Sequence, residues 1–365
     1  MAGYSEQIKD LEDELKKTKY NKKTQHHIGL VKAKLAKLKE KETSRGSKKS
    51  LHQGYSVRRA GDATVILIGF PSAGKSTLLN ALTNANSVIG DYEFTTLDVI
   101  PGTMEHKQSK IQILDVPGIV KGAASGKGRG REVLSCMMNA DLIIVVVDVT
   151  RPAAMDVILK EIYDTHVRLN QRKPDVRIRK TIKNGIRIGR TVRTPLLDDE
   201  TIIGVLKEFR IRNADVLIRS PIDVDAFIDI LEGNKRYIPS FVLLTKIDLV
   251  TEEQLSEIKK KLNPDVCISA HEQQHLDDLK DIVFDKLEFI RVFCKEVGKK
   301  ADMGEPLILQ DGATLKTMCQ KLHKDFVSKF KFARVWGPSA KFAGQKLMKK
   351  THKLKDTDVV ELHIR

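Results

Sequence analysis

A chain of 365 residues, 41% of them apolar, is long enough to bury a sizeable core and to form more than one domain. Its four cysteines (Cys136, Cys267, Cys294, Cys319) lie far apart with no Cys-x-x-Cys, which argues against a structural zinc site or a disulfide framework and fits a reducing cytoplasm. A net charge of +16 points to a polyanionic partner, while a charged start and no membrane-length apolar run argue against a signal peptide or a membrane span.

Ile8, Leu11 and Leu15 share one helical face, and Ile28, Val31, Leu35 and Leu38 share another beyond a polar break. The spacing predicts two basic helices in a hairpin, packed on each other or on the next domain. With only two narrow apolar stripes, they suit an RNA-facing arm better than a coiled-coil dimerisation element. Thr43–Ser56, rich in Ser, Gly and Lys, predicts a linker, so residues 1–60 form a first region.

Thr64–Ile68 is an apolar run of strand length, and Thr77–Leu82 has the apolar spacing of a helix. Between them lies Gly69-Phe70-Pro71-Ser72-Ala73-Gly74-Lys75-Ser76, the pattern of a phosphate-binding loop. Its glycines let backbone N–H groups turn inward around a phosphate, and the helix N-terminus adds positive potential. Gly69, Pro71, Ser72, Ala73, Gly74 and Thr77 are therefore candidate nucleotide contacts. Lys75 is expected to reach the β- and γ-phosphates, and the Ser76 hydroxyl to take one Mg²⁺ position.

Phe94-Thr95-Thr96-Leu97 follows, where a threonine closes over the metal only when the third phosphate is present. Ile111–Leu114 predicts a strand ending in Asp115-Val116-Pro117-Gly118. Asp115 there holds Mg²⁺ through water, and the Gly118 N–H senses the γ-phosphate. Gly122, Gly126, Gly128 and Gly130, ahead of a helix beginning near Glu132, predict a segment that orders around that phosphate and loosens after hydrolysis. Leu142–Val147 is a further strand.

Residues 166–235 interrupt this alternation and predict a small α+β domain. Asp175–Arg193 has the pattern of a hairpin around Asn184-Gly185. Val176, Ile178 and Ile182 share a face on the first strand, with Arg177, Arg179 and Lys183 opposite. On the second strand Ile186, Ile188 and Val192 oppose Arg187 and Arg193, while Lys180 and Arg190 interrupt the apolar faces. Helices over 199–209 and 223–231 flank a strand at 216–219.

Ser240–Leu244 is an apolar strand running into Thr245-Lys246-Ile247-Asp248. The Asp248 carboxylate can accept from both donors on the guanine edge, and adenine leaves it unpaired. Val266–Ile268 and the loop Ser269-Ala270 then offer backbone N–H to the guanine oxygen. These fragments sit at strand ends, in the order expected of a sheet that binds ligand beyond its carboxyl edge. The expected ligand is a guanine nucleotide, GTP or GDP. Last come a helix near 276–293, Pro306–Leu309, a helix over 314–323 and a strand at 359–364. Trp336, the only tryptophan, reads as a core or turn residue rather than a base-stacking platform, and the histidines show no ligand spacing.

The charge is segregated. Residues 1–60, 166–193 and 329–355 each carry +9, together +27 against +16 for the chain, which leaves the remainder at −11. Three basic blocks on an acidic core suit a polyanionic partner, by counterion release, better than solvated faces or a membrane; the partner expected is RNA, and no DNA is expected.

The loop at 69–76, Tyr-Glu-Phe-Thr-Thr-Leu at 92–97, the glycine-rich run at 115–131 and Val335-Trp336-Gly337 resemble the developmentally regulated GTP-binding (Drg) family, a branch of the Obg-like GTPases, over nearly the whole chain. The resemblance implies a P-loop GTPase fold (61–165 and 236–292), an α+β insert like a ribosomal protein, and a C-terminal β-grasp (TGS) domain at 293–365. It implies Ser76 and Thr96 as magnesium ligands, with Lys75, Thr96 and Gly118 serving hydrolysis, and a ribosome-associated role in translation. Two departures from common GTPase patterns bear on mechanism. Ile119 stands where a glutamine often orients water, so hydrolysis draws on a backbone group, a monovalent cation such as K⁺, or a group from a protein activator. Slow intrinsic turnover follows. Thr245 stands where Asn is usual, so guanine affinity is expected to be weaker while Asp248 keeps specificity. A metabolic P-loop kinase and a constitutive RNA-binding scaffold are the rival readings.

Overall fold

The computed structural model describes residues 4–19, 21, 24–46, 61–83, 100–116 and 130–364. They fall in two compact units, Met1–Tyr55 with His166–Tyr237, and Ser56–Thr165 with Ile238–Arg365.

The first unit opens with helices α1 (Tyr4–Lys17) and α2 (Gln25–Gly46), which pack on each other. Ile8, Ile28 and Val31 from the two expected stripes are buried. Helix α2 runs past Thr43 to Gly46, so the expected linker is shorter at its start; the rest of it lies outside the described residues.

The second unit begins with β1 (Ala63–Ile68), buried at every position, and α3 (Lys75–Leu82), whose Leu78, Leu79 and Leu82 enter the core. Strands β2 (Ile100–His106) and β3 (Ser109–Asp115) form an antiparallel hairpin. Its turn residues Lys107 and Gln108 have φ of 46° and 63°, which matches the right-handed strand twist. β2 carries Pro101 and Gly102, poor strand formers that an edge strand tolerates. Gly102 is needed, because a Cβ there would come within 2.5 Å of Thr83. Helix α4 (Gly130–Asn139), strand β4 (Leu142–Asp148) and helix α5 (Ala154–Tyr163) follow.

Strands β5 (Val167–Leu169), β6 (Val176–Lys180) and β7 (Ile186–Arg190), helix α6 (Asp199–Glu208), strand β8 (Ala214–Ile218), helix α7 (Val224–Glu232) and strand β9 (Arg236–Ile238) return the chain to the first unit. The expected hairpin at 175–193 does not form. β8 lies between its two strands, antiparallel to β6 and parallel to β7. Asn184 and Gly185 do take positive φ, but Gly185 donates to Asn213 and accepts from Ala214 rather than closing onto β6. Ala214, Val216 and Ile218 are fully apolar on one face, so β8 makes the better central strand. Val176, Ile178, Ile186, Ile188 and Val192 pack on that core, whereas Ile182, expected beside them, is 95% exposed. Arg190 is accommodated by Asp199 at the start of α6. Asp198 and Asp223 cap α6 and α7 through the N–H groups of Thr201 and Ala226, each 2.8 Å away. Helix α2 lies against α6 and α7.

The second unit resumes with β10 (Ser240–Thr245), helix α8 (Glu252–Leu262), strand β11 (Val266–Cys267) and helix α9 (Leu276–Lys286). They complete a six-stranded sheet, order β11-β10-β4-β1-β3-β2, parallel except for β2. β12 (Phe289–Lys295), β13 (Leu307–Gln310), helices α10 (Leu315–Leu322) and α11 (Lys324–Lys329), β14 (Phe330–Trp336), β15 (Gln345–Leu347) and β16 (Asp358–Ile364) end the chain. Their five-stranded sheet has the order β13-β12-β16-β14-β15, with β12 and β16 parallel at its centre. Leu315, Met318 and Cys319 of α10 pack on Val292, Ala333, Val335 and Val360. This is a β-grasp. The helix expected to reach residue 293 stops at Lys286, because Glu288 turns at φ 51° and Phe289–Lys295 pairs as a strand. Among the described residues, no helix is long and apolar enough to cross a membrane.

Candidate nucleotide-binding site

β1, β3, β4, β10 and β11 deliver their carboxyl ends to one edge of the six-stranded sheet, the edge where open α/β sheets hold ligands. Residues 69–74 leave β1 there. At Gly69 a Cβ would lie 2.5 Å from the Val146 carbonyl oxygen, so no side chain fits between loop and strand. Ser72 and Gly74 take φ of 64° and 85°, which curls the loop back over the start of α3. Pro71, Ser72, Ser76 and Thr77 are exposed, while Ala73 is buried.

Lys75 is 8% exposed. Its Nζ donates to the carbonyls of Gly69 and Phe70, both at 3.3 Å, and lies 4.0 Å from Asp115. Burial pushes its pKa below the ordinary lysine range, with Asp115 pulling the other way. A cation so placed is stabilised by an incoming phosphate. The Ser76 hydroxyl donates to Asp115 Oδ2 at 2.5 Å, which brings together two of the three expected magnesium ligands. A hydroxyl and a carboxylate fit a hard divalent ion. The third, Thr96, lies outside the described residues, as do Thr95, Gly118 and Ile119.

At the end of β10, where the guanine base is expected, Thr245 is buried, and its hydroxyl donates to the Ala73 carbonyl at 2.8 Å. Lys246 sits at φ 61° with its Nζ 2.6 Å from Asp148 Oδ2. Asp248 is exposed in the turn Ile247–Leu249. Ser269 is buried, with its Oγ accepting from the Glu272 N–H at 3.1 Å, and Ala270 follows half-buried.

Asp148, Thr150 and Arg151 were not singled out from the sequence. The Asp148 carboxylate holds Lys246 and accepts both the N–H and the hydroxyl of Thr150 at 2.8 Å. Burial pushes its pKa up, but Lys246 and Thr150 outweigh burial and leave it below the usual carboxylate range. Pro71, Ser72, Thr150, Arg151 and Lys246 join it around a cavity of about 140 Å³ beside the loop. The one available signal was an aspartate closing the apolar run Leu142–Val147.

A phosphate loop on the first strand, a serine and a carboxylate for a metal, and Thr245-Lys246-x-Asp248 at a later strand end define a P-loop GTP-binding protein. The family model described as "50S ribosome-binding GTPase" matches residues 64–180, that for the C-terminal region of the same domain matches 183–289, and that for the TGS domain matches 290–364. An uncharacterised GTP-binding protein of Methanocaldococcus jannaschii is 50% identical over 100% of this chain and 94% of its own. Developmentally-regulated GTP-binding protein 1 homolog of Dictyostelium discoideum is 41% identical over 98% of both chains, and Developmentally-regulated GTP-binding protein 2 of Homo sapiens is 38% identical over 99% of both. The chain belongs to the developmentally regulated GTP-binding protein (Drg) family.

Proposed function

We propose that this chain hydrolyses GTP slowly and, gated by the bound nucleotide, binds RNA in translation, foremost the cytoplasmic ribosome. The outer face of the β6-β8-β7 sheet carries the RNA half of this reading. Helices α6 and α7 fill one side of that sheet, while Arg177, Arg179 and Arg187 stand exposed on the other, where Asp215 pairs with Arg187 at 2.8 Å. A flat arginine face fits a phosphate backbone. The matched family description, a 50S ribosome-binding GTPase, agrees with it.

For hydrolysis, Lys75 and the loop amides stabilise charge on the transferring phosphoryl group, and Ser76, Thr96 and, through water, Asp115 would hold Mg²⁺. The ion, when bound, neutralises charge on the phosphate oxygens. Asp248 and the Ser269-Ala270 loop select guanine, with Thr245 bracing the phosphate loop beside it. Ile119 cannot orient water, so turnover rises with K⁺ or with a partner's group. Single-turnover hydrolysis in sodium, in potassium and with ribosomes tests this. A slow rate in sodium that rises in at least one of the other two is expected; fast turnover in sodium alone would overturn it.

A further inference from the structure

The C-terminal β-grasp sheet has one side under α10; its other side carries an alternation that the nucleotide site does not use. Along β14, Ala333 and Val335 point into the core with no exposure, while Phe332, Arg334 and Trp336 stand on the opposite face. The neighbouring strands extend the pattern. His363 of β16 lies beside Phe332, and Lys346 of β15 lies beside Arg334. The Phe332 and His363 rings are stacked, with centroids 4.1 Å apart and planes 16° apart. Lys346 Nζ lies 4.4 Å from the Phe332 centroid, reaching it from the strand on the other side.

Trp336 is engaged differently. Lys295 covers its ring at 4.5 Å and is itself held by the buried Glu361, and Gly344 packs so closely that a Cβ would come 3.2 Å from the indole nitrogen. Of the two rings that β14 places on this face, Phe332 is therefore the one a ligand can reach, because among the described residues its cover from β15 is one exposed, unbranched side chain, Lys346. Residues 329–355, which include β14 and β15, contain nine Lys and Arg and no acidic residue. Stacked rings within a field of cations match the two faces of a single nucleic-acid strand, bases and phosphates. A duplex hides its base faces and would use only the charges.

We propose that the β14-β15-β16 face binds single-stranded RNA, with a base taking the place of the Lys346 ammonium against Phe332 and continuing the Phe332–His363 stack. Lys346, displaced, and Arg334 then meet flanking phosphates. The proposal rests on the reading that this chain binds RNA, and it adds where one strand lies and which ring holds it.

The full chain is titrated against a fluorescein-labelled single-stranded RNA and against the duplex of the same sequence at fixed low salt. Phe332→Leu keeps the apolar bulk and removes the ring; it is expected to weaken single-strand binding about tenfold and duplex binding less than about twofold. Phe332→Trp is expected to keep single-strand affinity, and the single strand should quench its added indole beyond any change in the wild type, which has Trp336 alone. The quenching decides the matter even if Phe332→Leu melts early. Wild-type affinity in a folded Phe332→Leu chain, equal losses on both probes, or no added quenching would overturn the proposal. Wild-type binding to the duplex alone overturns it but leaves the RNA reading standing. No binding to either RNA overturns both.

Discussion

The hydroxyl of Thr245 donates to the carbonyl oxygen of Ala73, 2.8 Å away, and so fastens the end of β10 to the phosphate loop. The shorter threonine side chain thus braces the loop from a position where many GTPases carry an asparagine. Thr245→Val keeps the shape and removes the bond. It is expected to cost about 1 kcal/mol of nucleotide affinity, roughly fivefold, read by titration with a fluorescent GDP analogue.

Ser76 and Asp115 meet at 2.5 Å, next to Lys75. Ser76→Ala is expected to leave the fold intact and lower GTP affinity by about tenfold or more in magnesium. Adding a chelator should then change the variant's affinity far less than the wild type's. An equal response to the chelator in both would remove Ser76 from the metal site.

Asp248 stands exposed where the guanine base is expected. If its carboxylate accepts from the two guanine donors as proposed, Asp248→Ala is expected to lower the preference for GTP over ATP by about a hundredfold. Competition of ATP against labelled GDP measures it.

Asp148 has a depressed pKa, burial being outweighed by Lys246 and Thr150. A depressed carboxylate contributes stability above its unfolded pKa, roughly 3.9, and loses it as pH falls through the folded value. Lys246→Met should therefore lower the unfolding midpoint at neutral pH. The cost is about 1 kcal/mol, since water reaches a third of the Lys246 side chain. The gap to wild type should narrow below about pH 4.

In the first unit, Arg168 and Asp229 form a buried two-point pair, at 2.7 and 2.9 Å. Arg168→Met strands the carboxylate, with Lys235 the nearest other cation at 3.9 Å. A loss of about 3–5 kcal/mol is expected, visible as an earlier thermal transition.

The phosphate loop was legible because its strand, turn and helix are contiguous, and β1, β4 and β10 because they are unbroken apolar runs. Most of what escaped was nonlocal. The signal at Asn184-Gly185 was real, yet β8 supplied a better neighbour to both strands from residues 214–218. The role of Asp148 depends on Lys246, 98 residues away in the chain. The end of α9 was hidden because Glu288 turns the chain at φ 51° with no glycine or proline to announce it.

Co-sedimentation with ribosomes at fixed salt, with GDP and then with a non-hydrolysable GTP analogue, tests nucleotide-gated ribosome binding most directly. The expected result is pelleting that depends on the analogue. Equal pelleting with both nucleotides, or none with either, would contradict it.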